Sequence, residues 1–98
     1  MTVSDPLEPQ IRMIEVEIVN VQGLHARPAH QVVLLANEFP CKILVKKGDL
    51  EVDAKSIMSL MMLAAEKGSK LQIQAQGEQA DEALAALDEL FASGFGED

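Results

Sequence analysis

The sequence contains no tryptophan or tyrosine and only three phenylalanines, so aliphatic side chains and methionine must fill its core. It has one cysteine, Cys41, which excludes an internal disulfide, and no His/Cys spacing suits a bound metal. Basic residues are few and never clustered. With a net charge of -8, the chain is a poor partner for nucleic acid or anionic membranes. No apolar run approaches the roughly 20 residues needed to cross a bilayer, so no membrane insertion is expected. There is no P-loop, no plausible catalytic triad and no H-E-x-x-H pattern, which leaves a hydrolase without a constellation to support it.

What is present fits one small domain. The chain has 98 residues, 48% of them hydrophobic, enough for a thin but packed core. Residues 1–10 are polar and acidic and hold two prolines. They resemble neither a signal nor a transit peptide and read as a flexible tail, with a single domain over residues 11–98. These features together point to a cytoplasmic location.

Hydrophobic periodicity lays out the elements. Ile14, Val16 and Ile18 alternate with glutamates, as in a strand with one wet face. Ala29, Val32, Val33, Ala36 and Phe39 follow helical spacing until Pro40. Cys41, Ile43 and Val45 alternate with lysines, and Leu50, Val52 and Ala54 with acids. Lys47-Gly48-Asp49 between them is a turn, so the pair forms a hairpin with lysines opposite acids. A short helix follows over residues 56–63. Leu71, Ile73 and Ala75 alternate with glutamines in a fourth strand. A last helix turns Ala80, Ala83, Leu84, Leu87 and Phe91 inward, with Gly94 as its stop. The order βαββαβα, with every strand carrying one apolar and one polar side, predicts an α+β fold. It is a two-layer open-faced sandwich, a mostly antiparallel sheet with helices on one face.

Two stretches carry the chemistry. In VQGLHARPAH, His25 falls at the start of the first helix, with Ala26, Arg27 and Pro28 in its first turn. Proline is tolerated there because first-turn N–H groups lack intrahelical acceptors. Those groups and the helix dipole favour an anion, commonly phosphate. The same site disfavours a protonated imidazole, leaving a ring with a nucleophilic lone pair. Arg27 adds a planar cation suited to phosphate oxygens. Spacing alone leaves two readings open: a phosphoryl acceptor, or a polar cap beside a solvated arginine. His30, five residues along, is off the spacing of four that paired metal ligands prefer, so it reads as a surface helix residue. In AKSIMSLMML, Ser56 is a good N-cap. The helix after it has almost no polar face, so some of Ile57, Met58, Leu60, Met61, Met62 and Leu63 should be exposed for docking. Cys41, alternating with inward residues, reads as a buried small hydrophobe.

GLHARPA, with the serine of AKSIMSL 31 positions after its histidine, resembles the HPr family of phosphocarriers in the bacterial phosphotransferase system. The likeness covers about residues 12–95. SIMSLMMLAAEKGS and ALAALDELFASGFGED look most like the nitrogen-related branch, often called NPr. The resemblance implies the HPr-like open-faced β-sandwich, a four-stranded antiparallel sheet with three helices on one face. It makes His25 the residue phosphorylated on Nδ1, Arg27 the phosphate contact and Pro28 part of the same motif. Ser56 matches a serine that a dedicated kinase/phosphorylase modifies in some bacteria. Ile57, Met58 and Met61 match docking positions. Ala64 stands where sugar-system members often hold glycine.

The implied function is phosphoryl carriage from a phosphoenolpyruvate-dependent enzyme I-type donor to a IIA-type acceptor. It proceeds through a transient phosphohistidine on a monomer that is not a stand-alone catalyst, with no cofactor or metal. The alternatives are a sugar-system HPr and a regulatory binding module controlled through Ser56.

Overall fold

Alternation sets the sheet. In the computed structural model, which describes residues 11–97, strands β1 (Ile11–Glu17), β2 (Lys42–Lys47), β3 (Leu50–Asp53) and β4 (Lys70–Gln76) form one antiparallel sheet in the order β1-β4-β2-β3. Pairing Ile14 and Val45 with Ile73, and Val16 with Leu71, puts the apolar positions of three strands on one face. That face meets helices α1 (Ala26–Ala36), α2 (Ile57–Met62) and α3 (Ala80–Ala92), and a short 3-10 turn, Gly94–Gly96, follows α3. The element order agrees with the expected βαββαβα. The proposed tail over residues 1–10 lies outside the described residues.

The helices bury the faces their spacing marked. Ala29, Val32 and Ala36 of α1, and Ala80, Ala83, Leu84, Leu87 and Phe91 of α3, close over Ile43, Val45, Leu71 and Ile73. Each fully buried Leu, Ile or Phe contributes about 1.5–3 kcal/mol. Cys41 lies in this core, as read. Two lysines staple the short α2 into place. Lys55 Nζ donates to the carbonyls of Phe39 and Cys41 at 2.8 and 2.9 Å. Lys47 Nζ donates to those of Leu63 and Ala64 at 3.1 and 3.2 Å, serving the unpaired C-terminal carbonyls of the helix.

The structure departs from the expected pattern in three places. β1 begins at Ile11, ahead of the alternation that announced it, and its outward positions include exposed Ile11 and Met13. The open face is therefore not uniformly polar. Leu50 has inward parity, opposite Lys47, but sits beside the hairpin turn of an edge strand and is exposed. The first helix ends at Ala36 rather than running to Pro40, with Asn37–Phe39 bonded back as turns. Of the lysines expected to face acids across the hairpin, only Lys46 does, opposite Glu51; Lys47 stands opposite Leu50, and Asp53 opposite Leu44.

Candidate functional site: the first helix start and the C-terminal turn

The loop before α1 is shaped by a backbone that only glycine adopts easily. Gly23 has φ +72, and a Cβ there would stand 2.5 Å from the Ala65 carbonyl oxygen. The close approach lets Leu24 N–H donate to that same carbonyl at 2.9 Å, so the loop rests on the segment just past α2. His25 then takes the N-cap position with extended backbone, and its carbonyl accepts the first helical bond from Ala29 N–H. Its ring makes no capping bond. Pro28 is buried in the first turn, where its missing N–H costs nothing. The N–H groups of Ala26 and Arg27 precede any intrahelical acceptor and remain available to an anion.

The His25 ring is occupied elsewhere. Its Nε2 lies 2.9 and 3.0 Å from the two carboxylate oxygens of Glu97. Asn20, almost fully buried, donates from Nδ2 to Glu97 Oε1 at 3.0 Å and to the Gly23 carbonyl at 2.8 Å. Both acceptors lack hydrogens, which sets the orientation of the Asn20 amide. Its Oδ1 is buried and finds no partner among the described residues. Arg27 Nη1 stands 3.8 Å from Glu97 Oε2, with most of its side chain in solvent. A single exposed ion pair at that distance contributes little to stability, so Arg27 is available to a ligand. The hydrogen bond from His25 is the main influence holding the Glu97 carboxyl below its ordinary pKa. Partial burial opposes it, while the Asn20 bond and the charges of His25 and Arg27 assist. An open cleft of about 490 Å³, lined by Val21, Gln22, Arg27, Gly96 and Glu97, lies beside the helix start.

The second stretch is also as the spacing suggested. Ser56 caps α2, accepting from Ser59 N–H at 3.3 Å. Leu60 is buried, Ile57 half-buried, and Met58 and Met61 exposed. Met62, one of the apolar residues of this helix but not among the positions matched to the family, is exposed as well. His30 faces solvent on α1.

A histidine whose Nε2 is held by a carboxylate, beside free helix-start amides and an arginine, is arranged to accept an anionic group at its other nitrogen. Comparison with known proteins gives the family. The sequence pattern described as the PTS HPr component phosphorylation site matches residues 13–93. The chain belongs to the HPr family of phosphocarriers. It is 48% identical over 85 residues to phosphocarrier protein HPr of Pseudomonas aeruginosa, covering 86% of this chain and 94% of that one. It is 43% identical over 84 residues to phosphocarrier protein NPr of Escherichia coli, covering 85% and 93%. The fold matches the crystal structure of HPr-C-His from Thermoanaerobacter tengcongensis with a TM-score of 0.85 at 41% identity, over 89% of this chain and 98% of that one. Proteins of this family interact in general with enzyme I and IIA components.

Sequence reading missed Asn20 and Glu97. The signal for Glu97 was faint but present. Two glycines flank a phenylalanine directly after the last helix, where an acid then follows. In the structure Gly94, Phe95 and Gly96 all have positive φ, and this left-handed turn swings Glu97 back to His25.

Proposed function

We propose that this chain carries a phosphoryl group on His25. An enzyme I-type protein charged from phosphoenolpyruvate donates the group, and a IIA-type protein takes it away. The observation that carries the reading is the His25 ring at the N-cap of α1, held at Nε2, with the Ala26 and Arg27 amides and the Arg27 guanidinium free to receive phosphoryl oxygens. Arg27 is the phosphate contact, and Pro28 shapes the first turn without competing for an acceptor. Ile57, Met58 and Met61 are the docking residues. The bond from Leu24 to Ala65 ties the loop before His25 to the end of α2, which supports presentation of ring and methionines to one partner.

The nitrogen-related branch is the assignment we favour, on the stretches SIMSLMMLAAEKGS and ALAALDELFASGFGED. Ala64 adopts φ +49, a conformation that suits glycine, so alanine there departs from the sugar-system pattern at some strain. Relatives named HPr and NPr both match well, so the branch is for experiment to decide. Residues 11–98 act as one domain, monomeric and cytoplasmic, and Ser56 is a regulatory position where the host has a kinase for it. Among the described residues no helix is long and apolar enough to cross a membrane.

Incubation with enzyme I and phosphoenolpyruvate, with His25→Ala as control, tests carriage. Acid-labile phosphate on the wild type alone is the expected result; equal labelling of the variant would refute it. Comparing the sugar-system enzyme I with its nitrogen-related counterpart as donor tests the branch.

A further inference from the structure

We propose that Glu97, braced by Asn20, is a positioning residue that holds His25 in its Nε2–H tautomer and so leaves the Nδ1 lone pair for phosphorus. This rests on the carrier reading above and adds to it the residue that prepares the ring.

An ionised carboxylate only accepts hydrogen bonds, so a ring nitrogen lying 2.9 and 3.0 Å from its two oxygens must carry the proton. A neutral imidazole has one N–H, and the nitrogen that is not hydrogen-bonded keeps the lone pair. The lowered pKa of Glu97 agrees with an ionised state in neutral solution.

Asn20 holds the carboxylate, and two further contacts hold the turn that delivers it. Asn20 is 1% exposed and links Glu97 Oε1 to the Gly23 carbonyl, joining the carboxylate to the loop that delivers His25. Phe95 is buried and packs edge-on against Phe91 with ring centroids 4.9 Å apart, which anchors the turn to α3. The Phe95 carbonyl accepts from Gln31 Nε2 of α1 at 3.3 Å, which anchors the same turn to the helix that His25 begins. A carboxylate with this many constraints is suited to orienting a ring, as carboxylates do for histidines that act as ligands or bases.

The transfer balances with this proton in place. The Nδ1 lone pair forms the new bond to phosphorus, while the donor's bond to phosphorus breaks and its electron pair leaves with the donor atom. The proton on Nε2 stays on the ring, which gains positive charge as Nδ1 becomes substituted. Glu97 already lies against that charge, and Arg27 faces the opposite charge on the phosphoryl oxygens. One carboxylate thus orients the ring before transfer and stabilises it afterwards.

The test uses the full chain with enzyme I and phosphoenolpyruvate, measuring the rate of labelling of wild type, Glu97→Ala and Glu97→Asp. Long-range proton–nitrogen NMR of the His25 ring at alkaline pH reports the tautomer, and thermal unfolding confirms that each variant is folded. Glu97→Ala is expected to transfer about tenfold more slowly and to show mixed tautomers. Glu97→Asp, which keeps the charge on a shorter arm, should recover part of both. A wild-type rate in Glu97→Ala, or a wild-type tautomer in it, overturns the assignment. A wild type that takes no label strikes instead at the carrier reading.

Discussion

Two helix starts in this protein have been given opposite jobs. At α2, Ser56 turns its hydroxyl onto Ser59 N–H and completes the helix. At α1, His25 occupies the equivalent N-cap position with similarly extended backbone, yet its ring caps nothing and is held by Glu97 instead. Ser56 uses its hydroxyl oxygen to accept from an amide of its own helix. His25 leaves both the first-turn amides and one ring nitrogen uncommitted, and adds an arginine nearby. An N-cap side chain that satisfies its helix serves mainly stability, whereas one that abandons the cap leaves a site for an anion.

The largest expected effect sharpens the contrast. His25→Ala should abolish acid-labile labelling, because no other side chain can replace the ring nitrogen. Its cost in folding stability should be small, since no cap bond is lost and only the bond to Glu97 goes with the ring. Urea denaturation beside the labelling assay checks both halves, and a variant that fails to fold would show that the ring is structural after all. Next comes Gly23→Ala, which attacks the link between the loop before α1 and the segment just past α2. The added Cβ would meet the Ala65 carbonyl at 2.5 Å in a backbone of φ +72. The cost should be about 2–4 kcal/mol in denaturant unfolding, combining left-handed strain with displacement of the loop. A loss below about 1 kcal/mol would mean that the approach of the loop to α2 is not held by this contact.

Those two residues also mark how far the sequence could be read. The strands and helices were legible wherever burial imposes a period, as in Val16, Ile43, Val45, Leu71 and Ile73, or in the inner face of α3. Spacing marked the start of α1 as a candidate anion site, because glycine, histidine, arginine and proline fall close together there, and it left a polar cap open as the other reading. β1 was underestimated because Ile11 and Met13 place apolar side chains on the open face, which breaks the alternation. Leu50 misled because its parity is inward, yet it lies beside the turn of an edge strand and is exposed. Glu97 escaped because its contact with His25 spans 72 positions and has no local pattern. It depends on Phe95 accepting φ +59, which the sequence shows only as a residue between two glycines. Asn20 is visible only once Glu97 is in place, as it bridges that carboxylate to the Gly23 loop.

Ser56→Ala is the mirror of the histidine variant and should have a smaller effect. Losing the cap should cost about 1 kcal/mol, read as a lower unfolding midpoint, while His25 labelling on the folded protein stays near wild type. Labelling that fell as far as in His25→Ala would remove the division of labour between the two starts.

The smallest effect concerns pH and isolates the ring's carboxylate partner. The folded-state pKa of Glu97 lies below its unfolded value, chiefly through the His25 hydrogen bond. Its ionised form therefore stabilises the fold fully above the unfolded value, and that contribution is lost as pH falls through the lower folded value. Both the unfolded and folded carboxyls are protonated below that window, and the advantage disappears. Wild type and Glu97→Gln should thus differ in thermal midpoint near neutrality and converge in acid. The same comparison in a His25→Ala background should show a smaller difference, because the main partner is gone and only Asn20 and the more distant Arg27 remain. The α2 start offers the control. Ser56 carries no titrating group, so Ser56→Ala should shift the midpoint by a similar amount across the same pH range. A Glu97→Gln difference that is equally flat with pH would mean that the carboxylate's charge, as opposed to its shape, contributes nothing at this helix start.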